Sequence, residues 1–152
     1  MPLFLYGVPI YFQRTVPLRF DVKDIVKGFA VTAVLLVPFL CYLLIMGQTV
    51  TLVPFRAVIF QLFVVALPEE IYFRGFLQER FGNNVQSVIM VSILFSIMHL
   101  PQFIMYNDIY AILTVFPSLV MGVLYMWTGN IITPTIFHVA ANIVFLSCCT
   151  IL

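Results

Sequence analysis

The chain has 152 residues, 63 % of them hydrophobic and only 9 % charged, with a net charge of +1. Soluble domains carry about 25 % charged residues, and a domain of this size leaves about a third of its unfolded-chain surface exposed, so water-soluble packing is excluded. The weak net charge gives no reason to invoke nucleic acid or an acidic partner. The expectation is one all-α, polytopic transmembrane helical bundle, integral to the lipid bilayer.

Residues 1–27 read as an amino-terminal apolar segment followed by a basic connector, and residues 28–152 as the transmembrane domain proper. The stretch up to Phe12 is apolar and charge comes only afterwards, the reverse of a signal peptide. It resembles the end of a spanning segment, or an interfacial one broken by Pro9, and predicts that part of a longer protein lies upstream. Residues 13–27 set Arg14, Arg19, Lys23 and Lys27 against Asp21 and Asp24. The positive-inside bias makes this a cytoplasmic connector.

Five spans are expected after it, the first close to the roughly 20 residues that cross a bilayer. They are about 28–46 with a kink at Pro38, 55–81, 85–100 stopped by Pro101, 109–127 with kink or packing points at Pro117 and Gly122, and 131–152. A charge-free turn at 47–54 falls on the outer side. Gly82-Asn-Asn is a helix stop, 102–108 a short amphipathic loop, and Thr128-Gly-Asn a tight turn. Pro68, immediately before an acidic pair, should bend its helix and free a carbonyl one turn upstream.

Cys41, Cys148 and Cys149 lie in apolar runs without metal or redox spacing and read as small hydrophobes. Cys149-Thr-Ile-Leu152 formally matches a prenylation signal, but that cysteine closes an apolar segment and not an accessible tail, so modification is not expected.

Three constellations carry the chemistry. Glu69, Glu70 and Arg74 stand inside an apolar run, where each charge costs at least about 2.5 kcal/mol and persists only with a partner or a task. Glu70 and Arg74, four apart with the acid first, are in the favourable order for an intrahelical ion pair, and Glu69 points about 100° away. The division expected is a structural Glu70–Arg74 pair and a free Glu69. Phe95 and His99 share a helix face, as do His138 and Asn142. Counted at 1.5 Å per residue from the cytoplasmic ends, Glu69 lies about 18 Å deep, His99 about 21 Å, His138 about 11 Å and Asn142 about 17 Å. Three helices bring their rare polar residues to one membrane layer, where they can form a single cluster. Tyr72, Phe73 and Phe76 read as lining or packing, and Glu79 and Arg80 as interfacial charges.

At these residues the sequence resembles the CAAX prenyl protease and bacteriocin-processing family of intramembrane glutamic endopeptidases. The pattern Glu-Glu-x-x-x-Arg, Phe-x-x-x-His, His-x-x-x-Asn stands here as Glu69-Glu70-Ile-Tyr-Phe-Arg74, Phe95-Ser-Ile-Met-His99 and His138-Val-Ala-Ala-Asn142, in order and spacing. The resemblance covers about residues 55–142, and family members usually carry more upstream helices. It implies that Glu69 is the general base, that His99 helps hold the attacking water, and that His138 and Asn142 donate to the oxyanion. It further implies that Glu70–Arg74 orients the helix, with a contact from Arg74 to a substrate carbonyl ranked second. No cofactor is implied, although two glutamates and two histidines also suit Zn²⁺ by ligand type. The substrate implied is a membrane-associated protein or peptide cut near its C-terminus or anchor, in the cell (inner) membrane. A prenylated tail, a bacteriocin leader and a sorting tail all stay open, and so does the oligomeric state. A non-catalytic immunity or scaffold protein, a proton-relaying transporter and a metal-dependent protease are the other readings these residues admit.

Overall fold

The computed structural model describes residues 2–13 and 16–148, with the side chains of Pro2, Leu3 and Gln13 left out. Arg14 of the connector and the Cys149–Leu152 tail lie outside the described residues. All regular structure within them is helical.

An amino-terminal helix, Pro2–Gln13, runs through Pro9 without breaking. It is followed by the first long helix, Val22–Ile45, which starts earlier than expected. The reason is local: the Asp21 side chain accepts from the Lys23 amide as an N-cap. Asp24 and Lys27, one turn apart, then pair at 3.1 Å. The second half of the connector is therefore the first turns of a helix.

The motif helix occupies residues 55–80 and contains two π segments. Phe55–Phe60 is α-helical, Gln61–Ala66 is π-helical, Leu67–Glu70 is α-helical, and Ile71–Gln78 is π-helical again. The Leu67 amide bonds to Leu62 O, an i→i−5 step. Continuing that register would need a donor from Pro68 to Phe63 O, which proline lacks. The Tyr6 hydroxyl supplies it, donating to Phe63 O at 2.8 Å. The carbonyl that Pro68 was expected to free is thus Phe63 O, in a π turn, and an amino-terminal tyrosine takes it up. The helix stops at Gly82 (φ 96°) and Asn83 (φ 45°), and Asn84 opens the next one through a reciprocal capping box with Ser87.

That next helix, Val85–Met98, leads directly into Leu100–Tyr106 through His99. Pro101 does not stop the chain, because it falls in the first turn of a new helix, where a missing N–H costs nothing. The loop expected at 102–108 is therefore mostly helical. Tyr110–Leu113 and Val115–Thr128 follow, broken at Thr114, one turn before Pro117. Gly129 (φ 58°) makes the tight turn, and Ile132–Cys148 is the last helix described.

Val22–Ile45, Val85–Tyr106 and Tyr110–Thr128 are long and apolar enough to cross a membrane, and Ile132–Cys148 is a shorter apolar helix. The side chains are distributed as a bilayer demands. Phe20, Val22, Val34 and Leu52 are exposed, whereas Glu70, Arg74, Gln78, Ser92, Ser118, Asn130 and Thr133 are fully buried. In lipid the apolar groups can face out and the polar ones must find partners within the bundle. The helices pack closely enough for this: a Cβ on Gly122 would come within 2.8 Å of Val88 Cγ1.

Candidate active site

The core around the motif is aromatic and aliphatic: Phe73, Val91, Phe95, Met121, Leu124 and Phe137. Against it stands a buried polar chain. Arg74 Nε donates to Glu70 Oε2 at 3.2 Å, with both side chains fully buried. Arg74 Nη2 donates to Ser118 Oγ at 2.7 Å and to Ser118 O at 3.1 Å. The Arg74 guanidinium lies 5.6 Å from the Phe95 ring centre. Arginine is thereby held by charge, hydrogen bond and ring face together.

The other Glu70 oxygen, Oε1, accepts from His138 Nδ1 at 2.8 Å. Glu70 thus ties the motif helix to the last helix and fixes the imidazole. The opposite nitrogen, His138 Nε2, faces Glu69 Oε2 at 3.7 Å. That is too long for a hydrogen bond. Glu69 Oε2 is buried and has no hydrogen-bond partner, while its side chain as a whole keeps 15 % exposure. Of two adjacent glutamates, one has both oxygens bound and the other has a buried oxygen uncommitted.

His99 occupies a helix junction. Its backbone N–H turns to Ser96 O, leaving the Phe95 carbonyl without its usual i+4 donor. The imidazole Nδ1 takes that carbonyl at 2.8 Å. A carbonyl only accepts, so Nδ1 is the donor, and in the neutral ring Nε2 keeps a lone pair. The four-residue spacing from Phe95 to His99 is what lets a side chain cap its own helix end. The Phe95 ring packs on His99 with centroids 4.7 Å apart and meets His138 edge-on at 5.9 Å. It is the spacer between the two imidazoles.

Asn142, one turn beyond His138, donates from Nδ2 to Gln61 Oε1 at 2.9 Å. Glu69, Glu70, Arg74 and His138 are in one cluster. His99 joins it through Phe95, and Asn142 stands beside it on the His138 helix. Sequence reasoning missed Ser118 and Gln61. Both are uncharged polar residues in apolar runs, and their partners lie 44 and 81 positions away. Glu79 accepts from Tyr125 and Arg80 covers Phe76, as helix-end charges. Among the described residues, no three His, Cys, Asp or Glu side chains gather in a metal-holding group.

Comparison with known proteins gives the family of the chain. The chain is 32 % identical over 88 residues to the uncharacterized protein YpbD of Bacillus subtilis (strain 168). That match takes in 58 % of this chain and 43 % of the relative, so the chain spans less than half of the relative's length. No solved structure matches. The family model for type II CAAX prenyl endopeptidase Rce1-like proteins matches residues 51–144, which include every residue of the cluster. The chain belongs to the type II CAAX prenyl endopeptidase Rce1-like family.

Proposed function

We propose that this protein is an intramembrane endopeptidase of the cell membrane that hydrolyses its substrate with water activated by Glu69. The substrate class is a membrane-associated protein or peptide, cut near its C-terminus or membrane anchor. The observation that carries the reading is the contrast within the acidic pair. Glu70 is spent on Arg74 and His138, whereas Glu69 Oε2 is buried, without a hydrogen bond and 3.7 Å from an imidazole nitrogen.

The roles follow from the chemistry of each group. A water lodged against Glu69 gives up a proton to the carboxylate as its oxygen attacks the peptide carbonyl carbon. His99, with Nδ1 held by the Phe95 carbonyl, offers Nε2 to orient that water. The oxyanion forms on the last-helix side, where His138, when it carries both ring protons, donates through Nε2–H while its Nδ1–H stays on Glu70. Asn142 donates a second N–H; one such donor is worth about 3–4 kcal/mol in hydrolases. Collapse of the tetrahedral intermediate breaks the C–N bond, and Glu69 returns its proton to the leaving amine. The reaction so written needs no metal.

The test is cleavage by purified protein in liposomes, using a farnesylated C-a-a-X reporter and a library of transmembrane tail peptides. Wild type is compared with Glu69→Gln and His138→Ala, with and without chelator. Cleavage by wild type alone, unaffected by chelator, is the expected result. Loss of cleavage on chelation would replace the reading with a metalloprotease. Wild-type protein inert toward every tail would favour a non-catalytic role.

A further inference from the structure

We infer that Gln61 is a positioning residue for the oxyanion site, acting through Asn142. This rests on the reading above, in which Asn142 is an oxyanion donor. A primary carboxamide turns freely about its last torsion, so a donor of this kind needs an anchor to hold one N–H on target. Among the described residues the anchor of Asn142 is a single hydrogen bond, Nδ2 to Gln61 Oε1 at 2.9 Å. With one amide hydrogen held there, the other has a fixed direction.

The backbone explains why Gln61 is in reach. It is the first residue of the Gln61–Ala66 π turn, eight positions before Glu69 on the same helix. A π turn holds more residues than an α turn, so it resets the face that Gln61 shares with the acidic pair. The register is held from outside by the Tyr6 hydroxyl on Phe63 O. The π segment contacts the last helix, which carries both His138 and Asn142. One helix thereby supplies the base from its middle and the anchor of the oxyanion donor from two turns earlier.

The inference is tested by a double-mutant cycle in liposomes on the farnesylated reporter, or on whichever tail peptide wild type cleaves. Gln61→Met removes the acceptor at similar length, and Gln61→Asn withdraws it by one methylene. Either should lower kcat about 10- to 100-fold with KM within about twofold, the scale of a small misplacement. In an Asn142→Ala background, Gln61→Met should cost nothing further. Additive losses, or an unchanged kcat in the single variants, would overturn the positioning role. If Asn142→Ala itself left kcat unchanged, the oxyanion assignment would fall instead. A readout free of turnover is the side-chain amide NMR signal of Asn142 in micelles, identified by its absence in Asn142→Ala. It should move in Gln61→Met; an unmoved signal would overturn the inference.

Discussion

Two charged clusters in this molecule are built alike and finished differently. Near the connector, Asp24 Oδ1 takes Lys27, Asp24 Oδ2 takes Asn130 Nδ2, and Arg19 donates to the Thr128 carbonyl. Asn130 also bonds back to the Arg19 carbonyl and so closes the network. Both carboxylate oxygens of its buried acid have partners. In the motif cluster Glu70 is equally complete, but Glu69 Oε2 beside it is buried without a hydrogen bond, as is Arg74 Nη1. A buried polar group normally costs free energy unless it is bonded. The first cluster spends its polar capacity on joining helices, while the second keeps some in reserve beside an imidazole. On the function proposed above, that reserve beside an imidazole is what lets the second network do chemistry.

Stability measurements can break or sharpen this contrast, and the largest effect belongs to Glu70. Glu70→Gln strands Arg74 in the core, and removing one partner of a buried pair costs about 3–5 kcal/mol. Thermal unfolding in detergent should show a large fall in midpoint together with poor expression. A fully stable Glu70→Gln protein would erase the distinction between the two glutamates. Ser118→Ala removes the 2.7 Å bond from Arg74 but leaves the carbonyl contact at 3.1 Å. Hydrogen bonds to charged groups contribute about 1.5–3 kcal/mol, so unfolding should shift by that much or less. Asp24→Asn in the other cluster can still accept from Asn130 through its one amide oxygen and gives up the bond with Lys27, whose side chain is 35 % exposed. It should cost about 1 kcal/mol or less and leave the cleavage rate unchanged. A large rate effect there would show that the connector network is not purely structural.

Residues whose signal is local were legible without coordinates. Gly82 and its two asparagines stop a helix because of their own conformational preferences, and Glu70–Arg74 pair because four residues make one turn. Glu69, His99, His138 and Asn142 were expected in one membrane layer because charges and imidazoles are rare at that depth, but the bond from His138 to Glu70 was not foreseen. What escaped were features set by partners far away in sequence. Pro101 looks like a stop until the chain restarts its helix there, and Pro9 interrupts nothing. Pro68 was expected to free a carbonyl, but the π turn and the Tyr6 hydroxyl that resolve it arise from packing between helices. Ser118 and Gln61 are invisible for the same reason: only the fold places them beside Arg74 and Asn142.

The most direct test of the account is the initial cleavage rate of Glu69→Gln relative to wild type in liposomes, on the same reporter and with equal thermal midpoints. Glutamine keeps the shape and cannot take a proton from water. The account predicts a loss of about 100- to 10,000-fold, the range that general-base catalysis supplies, in a protein as stable as wild type. A Glu69→Gln protein that still cleaves at the wild-type rate would contradict it and move the base elsewhere in the cluster.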